Sequence, residues 1–127
     1  MKLSVIWHAD DGVAELTHEQ LALQNAADVA RWRELLSLQL AALVTQTGQK
    51  LLLLICIDGV EIDPTVADLY GAAARVVMEE FTRQTARYGA PSKIRRLIAL
   101  EAVRKGYRVN LFESREEALI YLQAQGD

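Results

Sequence analysis

One cysteine, two histidines and two prolines leave this chain of 127 residues short of the side chains on which much small-protein chemistry depends. With Cys56 alone, no internal disulfide can form. Its place inside the apolar run 51–57 reads as a buried thiol rather than a reactive one. His8 and His18 flank the first hairpin with no cysteine nearby and no third ligand at metal-binding spacing. The run 51–57 is also the longest apolar stretch, against about 20 residues for a bilayer crossing, so membrane insertion is not expected. The N-terminus, MKLSVIWHADDG, lacks the shape of a signal peptide, and the expected compartment is the cytoplasm. No G-x-S-x-G, Walker-type phosphate loop or G-x-G-x-x-G occurs. No repeat or low-complexity segment occurs either. These absences argue against most enzyme chemistry and against a resident cofactor.

What is present is the mix of a soluble globular domain, 51% apolar and 24% charged, in a length that supports one core over 1–127. The net charge of −3 conceals an asymmetry: between Arg83 and Arg108 eight basic residues face only Glu101, while the rest of the chain is strongly acidic. A basic segment of this kind suits an anionic partner, or is simply a solvated helix with its flanks. Nucleic acid is not expected, because the chain is acidic overall and only Tyr88 and Tyr107 accompany the basic residues.

Periodicity places the elements. Residues 2–7 alternate as a strand, 9–12 form a turn, and the chain returns as a second strand, giving a hairpin over 1–17. Asn25 offers a cap to a first helix over 26–46, with Val29, Trp32, Leu36, Leu40 and Leu43 on one face. Leu35 and Leu38 widen that face, which fits either a subunit contact or cover by the domain's own loops. Residues 51–57 have no polar alternation, as in a parallel strand covered on both faces. Asp63-Pro64 starts a helix that buries Val66, Tyr70, Ala73 and Val77. Residues 81–88 fit either an extension of that helix or a strand; the strand keeps the β–α alternation unbroken. Ser92 caps a basic helix over 93–105, residues 107–112 form a strand, and Ser114-Arg115-Glu116-Glu117 is a capping box for a last helix to about residue 123. The expected fold is α/β: an N-terminal β-hairpin followed by strand–helix units over 50–123. Together they form a mixed sheet of four to five strands with helices packed against it.

Asp58, Glu61 and Asp63 form the one acidic cluster on a strand-to-helix loop, at the carboxyl end of a parallel strand, where ligands bind in open α/β sheets. Three carboxylates could hold a hard cation such as Mg²⁺. Alternatively, Asp63 caps the helix and the other two are solvated turn residues. Thr65 is the one hydroxyl on this loop, near the positive end of a helix dipole.

Three segments carry a family likeness: LLLLICIDGVEIDPTVADL, SKIRRLIALEAVRKG and YRVNLFESREEALIYL. Residues 50–122 resemble the STAS-like domains, the group that contains the bacterial anti-sigma-factor antagonists and their ligand-binding relatives. The resemblance implies a small layered α/β domain that works as a regulatory or interaction module. In antagonists of that group, a serine or threonine directly after the loop aspartate is phosphorylated by a partner kinase. Here Asp63 matches the aspartate, but Pro64 stands at the acceptor position and cannot take a phosphate. Thr65, one residue on, is the remaining candidate acceptor, so the usual phospho-switch is not expected.

The leading expectation is a non-enzymatic module that binds a protein partner or a small anionic or apolar ligand. The candidate residues are Asp58, Glu61, Asp63 and Thr65 on the loop, with Arg95 and Arg96 on the basic helix. The alternatives are a metal-dependent enzyme using Asp58, Glu61 and Asp63, and a structural homodimer built on the wide face of the first helix.

Overall fold

The computed structural model describes residues 2–89, 96, 97, 99, 100, 103, 104, 106 and 110–125. Among these, the elements with described bounds stand in the order β1 (Lys2–His8), β2 (Val13–Glu19), β3 (Leu21–Leu23), α1 (Ala26–Thr47), β4 (Leu51–Cys56), β5 (Val60–Ile62), a 3-10 turn (Pro64–Val66), α2 (Ala67–Phe81), β6 (Thr82–Tyr88), β7 (Leu111–Phe112) and α3 (Arg115–Gln125). Arg96, Leu97, Ala99, Leu100, Val103 and Arg104 are helical. The expected helix cap at Ser92 and most of the strand at 107–112 lie outside the described residues.

The main sheet has the order β1-β2-β4-β6-β7, antiparallel between β1 and β2 and parallel at the other three junctions. The leucine-rich β4 is its centre, as its unbroken apolar pattern required. Leu51, Leu53 and Ile55 face one core with Trp32, Leu36 and Leu40 of α1 and Val77 of α2. Leu52 and Leu54 face the other, against Ala118 and Leu122 of α3. A strand with helices on both sides has no solvated face, so polar alternation would have placed unpaired groups in a core.

The caps follow the sequence. Asn25 accepts the Asp28 N–H at 2.9 Å, and Asp28 accepts the Gln24 N–H at 2.9 Å. Gly48 ends α1 in the left-handed region, at φ 73°. Ser114 Oγ accepts the Glu117 N–H at 3.2 Å. At 81–88 the chain passes from helix to strand without a loop: Phe81 closes α2 and Thr82 opens β6. The Thr82 hydroxyl donates to the Met78 carbonyl across that junction at 2.7 Å.

Two expectations are refined. Helical structure does begin at Asp63-Pro64, with Asp63 as its cap and Pro64 in its first turn, but that turn is 3-10 and the α-helix proper, α2, begins at Ala67. Asp63 draws in both the N–H and the hydroxyl of Thr65, which tightens the first turn. The hairpin is also longer than 1–17: β2 runs to Glu19, Gln20 turns at φ 52°, and β3 pairs in parallel with β5 as a separate two-stranded sheet. Three-residue strands are too short to show a period in sequence. Among the described residues, no helix is long and apolar enough to cross a membrane.

Candidate functional site

The loop after β4 begins with a fixed turn. The Ile57 N–H donates to the Tyr88 carbonyl at 3.0 Å, so the chain leaves the sheet beside the end of β6. Asp58 then lies against Gly89. Gly89 sits at φ +89°, which favours glycine, and a Cβ there would also press on Asp58 Oδ1 at 2.7 Å, a side-chain end that can turn aside. Gly89→Ala is expected to lower stability by about 1–2 kcal/mol. An unchanged thermal midpoint would mean that the 58–59 turn rearranges freely.

After Gly59 the chain forms β5, with Val60 and Ile62 buried and Glu61 exposed. The Leu21 N–H donates to the Gly59 carbonyl and the Asp63 N–H to the Leu23 carbonyl, each at 2.9 Å. These bonds clamp β3 and β5 together. Asp63 accepts the Thr65 N–H at 2.9 Å and the Thr65 hydroxyl at 2.6 Å. The Thr65 hydroxyl, then its N–H, hold the Asp63 carboxyl below its ordinary range.

Over this small sheet runs a groove of about 910 Å³, within the usual range for ligand pockets. Its floor is Gln20–Gln24 and Gly59–Pro64, and its wall is Arg96, Leu97 and Leu100. Leu100 is 61% exposed at the rim. Glu61, Asp63 and Arg96 therefore share one site. Asp58 and Thr65 are not among its lining residues, and Arg95 lies outside the described residues. The three loop carboxylates separate: Asp58 turns to Gly89, Asp63 to Thr65 and Glu61 to the groove. Among the described residues, no three His, Cys, Asp or Glu side chains gather as a metal site.

Sequence reasoning missed a polar cluster on the opposite face of the sheet. Glu15 of β2 is 7% exposed. Arg115 Nη2 meets its Oε1 at 3.0 Å and Arg115 Nε its Oε2 at 3.1 Å. His8 Nε2 lies 2.8 Å from Oε1, and the Tyr88 hydroxyl donates to Oε2. Burial alone would raise the Glu15 carboxyl; bonds from Arg115, Tyr88 and His8 outweigh it and hold the carboxyl below its ordinary value. Burial, then the bond to Glu15, push the Tyr88 phenol well up. The available signal was an acidic residue inside the apolar pattern Val13-Ala14-Glu15-Leu16.

A second missed tie involves His18. Trp32 Nε1–H donates to His18 Nε2 at 3.3 Å, so Nδ1 carries the ring proton and donates to the Cys56 carbonyl at 3.1 Å. Burial lowers the His18 pKa, against the Cys56 carbonyl, which raises it. Burial raises that of the Cys56 thiol, which is only partly buried at the end of β4 rather than enclosed as the apolar run suggested.

No family model matches the chain, and no curated protein matches it. Among solved structures, the fold is similar to that of the murine solute carrier 26 family member A9 anion transporter in its inward-facing state. The TM-score is 0.57 at 17% identity, over 89% of this chain and 18% of the transporter's chain. The chain thus spans less than a fifth of that protein's length, and at this identity the likeness concerns the fold. That fold is STAS-like, as the sequence resemblance implied.

Proposed function

We propose that this STAS-like chain is a non-enzymatic interaction module. It takes a ligand or peptide segment that joins an acidic group to apolar surface, in the groove between the β3–β5 sheet and Arg96, Leu97 and Leu100. The observation that carries this reading is the meeting of one guanidinium with two leucines over a preformed floor. Glu61 and Asp63 on the far side reject a second negative charge, so the acidic group is expected at the Arg96 end. Thr65 keeps its hydroxyl on Asp63, an arrangement that does not favour its use as a phosphoacceptor.

Anilinonaphthalene sulfonate joins an anionic group to apolar rings and tests the proposal by fluorescence titration. Arg96→Glu is expected to weaken binding by about tenfold or more, the value of one charge-assisted hydrogen bond. Leu100→Gln is expected to weaken it by a few fold. Affinity unchanged in both variants would remove the groove from the account.

A further inference from the structure

We propose that the side-chain amide of Gln39 holds the outer edge of β1 shut against strand pairing with a second copy of this chain. Among the described residues, β1 stands at the end of the five-stranded order and pairs on one side only, with β2. The other side of such a strand presents outward N–H and C=O groups, a ready template for another strand. Here Gln39 of α1 fills that seat. Its Oε1 accepts the Val5 N–H at 2.9 Å, and its Nε2 donates to the Leu3 carbonyl at 3.2 Å.

The geometry is that of a sheet ladder. In a parallel pair, one residue of the neighbouring strand donates to the carbonyl before its partner and accepts from the N–H after it. Centred on Ser4, these are the two bonds that Gln39 makes, with the donor and acceptor of one primary amide. Gln39 thus stands for one residue of a missing sixth strand. Because it is tethered to α1, it competes at a high effective concentration, and a free copy of the chain cannot displace it at ordinary protein concentrations.

The occupant it excludes is β1 of another copy. An antiparallel pair with Val5 opposite itself sets Leu3 opposite Trp7 on the core side, where all three side chains already pack. On the other face it sets Ser4 opposite Ile6, which is 50% exposed on this strand. Removing the amide leaves the Val5 N–H and the Leu3 carbonyl without these bonds in a half-buried setting, and pairing with a second copy restores both.

The test is the mass in solution across a concentration series, by light scattering, for the full chain. Gln39→Ala and the volume-preserving Gln39→Met are expected to double the mass relative to wild type. The Val5 amide is expected to stay protected from hydrogen exchange in the doubled species. Adding Ile6→Lys, a charge that blocks edge pairing, is expected to return Gln39→Met to the wild-type mass. Wild-type mass in both single variants, with a faster-exchanging Val5 amide, would overturn the proposal. So would a doubled mass that survives Ile6→Lys.

Discussion

Arg115→Leu is expected to destabilise the fold by about 2–3 kcal/mol at neutral pH, while Glu15→Gln costs only about 1 kcal/mol. The asymmetry comes from burial. The Arg115 side chain is 42% exposed and returns to water when Glu15 loses its charge, whereas the Glu15 side chain is 10% exposed and cannot. Without Arg115, the carboxylate keeps the Tyr88 hydroxyl and His8 but loses its bidentate cation. Those two remaining partners keep the loss below the full cost of breaking a buried ion pair. The pH dependence separates charge from packing. The folded Glu15 pKa lies below its unfolded value of about 4.5, so its stabilisation is complete above that pH and is lost as pH falls through the folded value. The gap between wild type and Arg115→Leu should therefore be widest at pH 7 and narrow below pH 4.5. Urea denaturation at both ends measures it; an equal gap throughout would assign the loss to packing alone.

The contrast between this cluster and the groove shows what a sequence displays. Leucine continuity over 51–57 announced a strand buried on both faces, because that pattern is local and its cause is local. Asn25, Gly48 and Ser114 were legible for the same reason: each cap bonds within four residues of itself. Glu61, Asp63 and Arg96 could be picked out as residues, yet their sharing of one groove depends on packing between distant segments. The paired β3–β5 floor was invisible, since two three-residue strands gain their identity from each other. Glu15 and Arg115 lie 100 positions apart, and Gln39 and Val5 lie 34 apart. No periodicity reports such pairs. In each case a polar residue sits at a position where its element alone would favour an apolar or solvated one.

Trp32→Ala should be the most damaging single truncation in the larger core, at about 3–5 kcal/mol, with Trp32→Phe well below it. Trp32 is 1% exposed, and its ring lies 5.0 Å from that of Tyr70, tilted by 53°. It therefore joins α1 to α2 by contact, and β2 to β4 through the bonded chain Trp32–His18–Cys56. That chain requires a neutral imidazole, because Nε2 accepts from the indole. The folded His18 pKa lies below its unfolded value of about 6.5. The folded state then binds fewer protons than the unfolded state between those two values. Stability must fall as pH drops from about 6.5 toward the folded value, with no further loss from this group below it. His18→Gln removes the titration and is expected to flatten that part of the profile; parallel slopes in wild type and variant would exclude His18 as its source. Cys56 is the last residue of β4, and the 58–65 loop leaves the sheet immediately beyond it. Loosening Trp32 should therefore also weaken anilinonaphthalene sulfonate in the groove, although Trp32 does not line it. Groove affinity that survives Trp32→Ala at a temperature where the variant is still folded would show that the β3–β5 floor holds its shape independently of the core beneath it.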